Sequence, residues 1–420
     1  MPAFAVLFLA ALLIATGLRL WLAIRHVQHM QAHRNAVPPA FAQEISLEAH
    51  QKAADYSSAK TRLNIAAIIF DATVLLVLTL GGGLQAIDNL AASFFPEGIA
   101  RGVMFVSILA VILSIIELPF GLYRTFGIES RFGFNKMTLA MYLGDLAKHA
   151  VIGVALGLPL LFAVLWLMAG MGDWWWLYVW GVWVVFNTLV LALYPTFIAP
   201  LFNKFSPMQE GETKKRIEDL ISRCGFTSKG LFVMDGSKRS SHGNAYFTGF
   251  GKSKRIVFFD TLLSRLEIPE IEAVLAHELG HFRRRHVLKR MAWTFAVSLG
   301  FLWLLGVLMD QAWFYEGLHV SYPATDAMAL TLFFMVVPVF TFLLQPLLAM
   351  YSRKHEFEAD QYAAEFAPAR DLIRALVKLY KDNASTLTPD PLHSAFYDSH
   401  PPAASRVARL VAAAPGARML

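Results

Sequence analysis

The sequence predicts a mainly α, polytopic membrane protein. Seven transmembrane helices are joined to a small α+β unit, built from the loop between helices 5 and 6 and from the C-terminal segment. Three observations predict this. Apolar runs long enough to cross about 30 Å of hydrocarbon at about 1.5 Å per residue recur along the chain. The composition, 56% hydrophobic and 16% charged with a mean hydropathy of +0.48, is too apolar and too poor in charge for an ordinary soluble domain. A polar stretch between two of the runs carries the pattern H-E-x-x-H, as His277-Glu278-Leu279-Gly280-His281.

The first apolar run, 3–24, has no basic residue before it, and Arg19 and Arg25 lie at its far end. A secretory signal has the opposite polarity, so this is read as a retained helix with its N-terminus outside. Segment 25–62 is polar, with Arg25, Arg34, Lys52, Lys60 and Arg62. The later runs lie at 63–84, 101–122, 150–171, 174–202, 291–309 and 327–350. The connection at Met171-Gly172-Asp173 is short, and Pro195 and Pro200 break the end of the fifth helix. With the N-terminus outside, 25–62, 123–149, 203–290 and 351–420 lie inside. Of the 37 Lys and Arg only Arg101 falls at an outside boundary, and the outside loop 310–326 has Asp310, Glu316 and Asp326 but no Lys or Arg. That asymmetry follows the positive-inside rule. The chain thus divides into 1–202 (helices 1–5), 203–290 (a soluble segment with H-E-x-x-H), 291–350 (helices 6 and 7) and 351–420 (a second soluble segment).

The net charge of +6 fits inside loops facing anionic lipid, and no nucleic-acid-binding motif accompanies it. The single cysteine, Cys224, excludes an internal disulfide and favours a reducing compartment. Asp71 lies mid-span in the second helix and Asn187 in the fifth. A carboxylate facing lipid is costly, so Asp71 is expected to face protein or a wet cavity.

Segment 203–290 opens with an amphipathic helix near 209–222, with Ile217, Leu220 and Ile221 on one face. Leu231–Met234, Asn244–Thr248 and Arg255–Phe259 read as strands, the second flanked by Gly243, Gly249 and Gly251. The H-E-x-x-H helix follows. Pro269 suits its first position, and Glu270 and Glu272 suit a first turn, where the dipole is positive. Arg283, Arg284, Arg285, Lys289 and Arg290 then read as interfacial anchors before the sixth span.

On a helix, residues i and i+4 share a face, so His277 and His281 can ligate one zinc ion while Glu278 projects beside them as a base. Two incidental histidines on a surface helix are the plain alternative, and a third ligand downstream would exclude it. Two spans later the chain is back on the same side. There Glu356 and Asp360 again stand at i and i+4, while Glu358 lies on another face. Glu356 suits the third ligand of a gluzincin-like set, and Asp360 suits the acceptor for the other ring N–H of a ligand histidine. The same spacing also fits a solvated acidic helix paired with Arg353 and Lys354.

The chain resembles the type I CAAX prenyl protease family of seven-spanning zinc metalloproteases. The matching stretches run through most of the chain. They include Ile128 to Lys136, Pro200 to Phe205, Asn244 to Phe247, Arg255 to Leu263, the H-E-L-G-H helix, Glu356 to Asp360, Asp390 to Phe396, and Ser399-His400-Pro401. The resemblance implies that His277, His281 and Glu356 hold zinc, that Glu278 is the base, and that His400 and Arg406 reach the site as catalytic residues. Ala404-Ser405-Arg406-Val407 keeps the arginine of a family Glu-Arg-Leu piece but not its glutamate. Asn244 and Tyr246 fall on a strand thought to pair with an extended substrate. The resemblance also implies helices enclosing a water-filled chamber, with the zinc site at its cytoplasmic end.

The expected function is therefore zinc-dependent peptide hydrolysis at a membrane, with removal of the C-terminal tripeptide of a prenylated protein. A general membrane quality-control protease is the nearest alternative. A channel or transporter with a structural zinc site is the rival from another class, although closed sites use four Cys or His ligands. The expected partners are a peptide or protein substrate and the lipid bilayer. The expected location is the inner or plasma membrane in a bacterium, or the endoplasmic reticulum in a eukaryote.

Overall fold

The structure, a computed structural model, describes residues 2–227, 230–248 and 255–413. Among them, seven helices are long and apolar enough to cross a membrane: Ala3–Ala32, Leu47–Leu78, Gly98–Glu129, Leu139–Gly170, Gly172–Leu201, His286–Leu308 and Asp326–Phe366. Each contains most of one apolar run read from the sequence. The polar segment 25–62 is mostly not a loop, because the first two helices run on beyond their apolar parts. Arg34 clamps the pair there with two hydrogen bonds of 2.8 Å to Asp55. The second span stops earlier than hydropathy suggests. Gly81, Gly82 and Gly83 follow it, Gly82 takes a left-handed φ of 75°, and a separate amphipathic helix Gly83–Phe94 begins. At the end of the fifth span the prolines convert the helix into a π turn, Tyr194–Ile198, and a 3-10 turn, Ala199–Leu201.

The first six spans bury only 6–22% of their apolar windows, whereas the seventh buries 44%. Asp71 is exposed on the second span, within electrostatic reach of Arg19 on the first span and Glu117 on the third.

The soluble part is built on a four-stranded sheet of order β1-β2-β4-β3, with β1 Phe205–Pro207, β2 Leu231–Met234, β3 Ala245–Thr248 and β4 Arg255–Phe259. The β2–β4 pair is parallel; β1–β2 and β3–β4 are antiparallel, with Ala245 opposite Phe258 and Thr248 opposite Arg255. Strand β1 escapes a sequence reading because it has three residues and ends on proline, as an edge strand can. Strand β3 forms the opposite edge.

Besides the short turn of helix Asp260–Leu263, the helices that build this part are α1 Glu212–Arg223, α2 Ile268–Arg283, α3 Gln345–Phe366, α4 Ala369–Asp382, α5 Pro391–Tyr397 and α6 Ala403–Ala413. Helix α3 is the continuation of the seventh span, joined through the 3-10 turn Phe342–Leu344. Ile217, Phe258, Leu275, Leu279, Tyr362, Leu372 and Val407 share one buried core with α2 at its centre. The start of α2 is fixed by charge as well as packing. Glu270 accepts a 2.8 Å hydrogen bond from the Glu267 backbone N–H and pairs with Lys378 at 2.7 Å, and Glu272 pairs with Arg216 at 2.6 Å. Buried Asp390 caps α5 by accepting from the Leu392 and His393 N–H groups, and it accepts a 2.9 Å bond from Arg25 at the end of the first span.

Helices α2 and α3 cross at Gly280. A Cβ there would stand 3.0 Å from Ala359 Cα and Ala359 O and 3.1 Å from Tyr362 Cβ. Two of these are backbone atoms, so relief requires moving a helix. Gly280→Ala is expected to lower stability by about 1–3 kcal/mol, read as a lower Tm. An unchanged Tm would contradict this close crossing.

Candidate active site

The α2–α3 crossing brings the donor atoms of three residues together, with one oxygen of Glu356 toward each histidine. His281 Nε2 lies 3.2 Å from His277 Nε2 and 3.3 Å from Glu356 Oε1, and His277 Nε2 lies 3.5 Å from Glu356 Oε2. His277 and Glu356 are buried and His281 is half-buried. Metal bonds of about 2.0–2.2 Å put neighbouring tetrahedral ligands about 3.3–3.5 Å apart, so the triangle has the size that zinc requires. Buried Glu356 Oε2 makes no well-directed hydrogen bond, although His400 Nδ1 approaches it to 2.7 Å. Two imidazoles and an under-satisfied carboxylate oxygen suit a divalent cation.

Behind His277, its Nδ1 stands 2.8 Å from Asp360 Oδ1, which leaves Nε2 free for a metal. Arg406 is buried and meets Asp360 with both ends of its fork, the Nε–Oδ2 bond being 2.8 Å; its Nη1 lies 3.9 Å from Glu356 Oε2. His400 differs, with a side chain 64% exposed, so it stands on the open side of the triangle. Glu278 is partly buried beside both histidines. Burial pushes its carboxyl above the usual carboxylate range, against the opposing pull of His277 and His281. Burial also disfavours charge on His277, but the Asp360 and Glu356 carboxylates outweigh it and hold its pKa at about 9.

Strand β3 runs beside α2. Tyr246 on it packs edge-on against Phe259, while exposed Asn244 turns its Oδ1 onto the Ala245 N–H at 2.8 Å. One side of β3 is taken by β4; the other has no strand among the described residues. Two further residues reach the site without a signal in the sequence. His286 contacts His281, and Glu358, which helical spacing sets apart from Glu356, contacts His286. Nothing in a five-residue spacing announces such a contact.

Fold and site together define an integral-membrane metalloprotease. Residues 26–204 match the CAAX prenyl protease N-terminal family, five membrane helices, and residues 207–414 match peptidase family M48. CAAX prenyl protease 1 of Saccharomyces cerevisiae is 33% identical over 91% of this chain and 90% of its own length. The Homo sapiens homolog is 30% identical over 98% of this chain and 96% of its own length. The crystal structure of S. mikatae Ste24p superposes with a TM-score of 0.91 at 31% identity, covering 98% of this chain and 99% of that one. This chain belongs to the CAAX prenyl protease 1 (Ste24) group of peptidase family M48.

A metal ion must displace the proton that His277 holds below pH about 9. Metal binding is therefore expected to release protons at neutral pH, and apparent affinity to weaken as pH falls. Zinc titrations in buffers of differing ionisation enthalpy check this; an affinity independent of pH below about 9 would contradict it.

Proposed function

We propose that the chain is a zinc endopeptidase working at the cytoplasmic membrane surface, where it releases the C-terminal tripeptide of prenylated proteins. The observation that carries this reading is the triangle of His277, His281 and Glu356, with Glu278 beside it and edge strand β3 alongside. The names of the relatives support the substrate class. The concentration of basic residues in the inside segments supports the orientation. The site also lies close to lipid: α2 leads into the sixth span and α3 emerges from the seventh. A lipid-anchored substrate would be delivered to that level of the membrane.

Zinc bound by His277, His281 and Glu356 would supply a Lewis acid that acidifies water and polarises the scissile carbonyl. The substrate backbone adds to the free edge of β3, next to Asn244 and Tyr246. Glu278 takes a proton from the attacking water onto its carboxylate and returns it to the leaving amine. Its burial suits both halves of that task, because a carboxyl with a raised pKa holds the proton long enough to deliver it. His400, on the open side, donates an N–H to the carbonyl oxygen as charge builds there. Asp360 accepts the His277 Nδ1 proton and so keeps the Nε2 lone pair toward the metal. The resemblance suggested Arg406 as an oxyanion donor. Its fork is occupied by Asp360, behind His277, so we assign it a positioning role.

Glu278→Gln is expected to bind zinc normally and to lose about 10²–10⁴ in turnover; near-native turnover would remove Glu278 from the mechanism. Mass spectrometry of products should show one cut after the modified cysteine of a prenylated CaaX peptide. The same peptide without the prenyl group should be cut at least about tenfold more slowly, a difference of about 1.4 kcal/mol. Equal rates would point to a general membrane endopeptidase instead.

A further inference from the structure

We infer that Glu358, His286 and His281 form a hydrogen-bonded relay that fixes which nitrogen of His281 faces the metal, and that a left-handed residue, Arg285, puts this relay in place. The inference rests on the metal-binding reading of the His277–His281–Glu356 triangle.

In one continuous helix, a residue five positions on lies about 140° around the axis from the first. His286 would then point away from His281. The chain avoids this by breaking the helix between α2 and the sixth span. Arg285 adopts φ 56° and ψ 35°, a conformation that residues with a side chain rarely take. The break turns His286 back beneath the site. Its side chain is 0% exposed, with Nδ1 3.0 Å from His281 Nδ1 and Nε2 3.0 Å from Glu358 Oε2. The ring is clamped from one face by His355, stacked at 3.9 Å and 9°, and His355 is in turn edge-on to Tyr351.

The proton positions follow from donor and acceptor rules. Two Nδ1 atoms at 3.0 Å can bond only if one carries hydrogen and the other a lone pair. The Glu358 carboxylate only accepts, so Nε2 of His286 carries a hydrogen. Neutral His286 then presents a lone pair at Nδ1. That lone pair accepts from Nδ1–H of His281, which leaves Nε2 of His281 with its lone pair aimed into the triangle. The other arrangement puts a hydrogen on Nε2 of His281, where the metal must bind. The two ligand histidines are thus oriented differently. His277 has a carboxylate directly behind it, and His281 has one at a remove, through a second imidazole. Lys354 Nζ lies 4.0 Å from Glu358, and Lys289 also acts on it electrostatically.

The test is zinc affinity, measured on the full-length protein by competition with a chromogenic chelator, with circular dichroism and Tm of the zinc-free protein as controls on folding. His286→Phe keeps an aromatic ring against His355 but removes the acceptor. Glu358→Leu removes the carboxylate, and Glu358→Gln keeps an acceptor oxygen. His286→Phe and Glu358→Leu should each weaken zinc binding by about 10–100-fold, the usual effect of losing a group behind a metal ligand. Glu358→Gln should stay within about threefold of the native protein, and the double variant should be no weaker than His286→Phe alone, because both act through one path. Losses that multiply in the double variant would overturn the relay. So would native affinity in a folded His286→Phe, or equal losses in the Gln and Leu variants. If His286→Phe fails to fold, the Gln and Leu pair at Glu358 decides. A native protein that takes up no zinc would instead defeat the metal reading itself.

Discussion

The contact on which the rest of this protein depends is the close crossing of α2 and α3 at Gly280 and Ala359. Two zinc-spaced histidines on one helix cannot complete a site. The third residue, Glu356, is brought in because α3 presses against α2 so closely that a Cβ at position 280 would stand 3.0 Å from the Ala359 backbone. The approach sets the size of the donor triangle, 3.2–3.5 Å on its edges, and it sets Asp360 behind His277. Interiors packed at crystal-like density move as rigid pieces, so a shift of a few tenths of an ångström here would be felt at every donor.

The two helices belong to different parts of the chain. Helix α2 precedes the sixth span, α3 continues the seventh, and α6 brings Arg406 in from near the C-terminus. The site therefore forms only when the membrane bundle and both soluble segments have assembled. Ion pairs reinforce that assembly: Arg216 and Lys378 hold the start of α2 from α1 and α4, and Asp390 ties α5 to the first span. Removing one partner of such a buried carboxylate strands a charge, which is more costly than the pair itself is stabilising.

The spans were legible because their apolar runs are long and because lipid imposes a length that few other structures share. Strands β2 and β4 were legible from short β-branched and aromatic runs. The termini of the helices were less so: the second span ends at a run of glycines inside apolar sequence, and the first two helices continue into polar sequence that hydropathy cannot follow. In the site, i and i+4 spacing placed His277 with His281 and Glu356 with Asp360, since a helix makes that relation local. The contacts of Arg406 and Glu358 are tertiary, and that of His286 depends on one left-handed residue. No local pattern encodes them, and only the folded chain brings these groups behind the donors.

The central claim is that one divalent ion is held jointly by α2 and α3. Metal analysis of purified native protein and of Glu356→Ala tests it most directly. The account predicts one zinc per chain in the native protein, and loss of that zinc in a variant that remains folded. A folded Glu356→Ala protein that retains zinc at native affinity would contradict it.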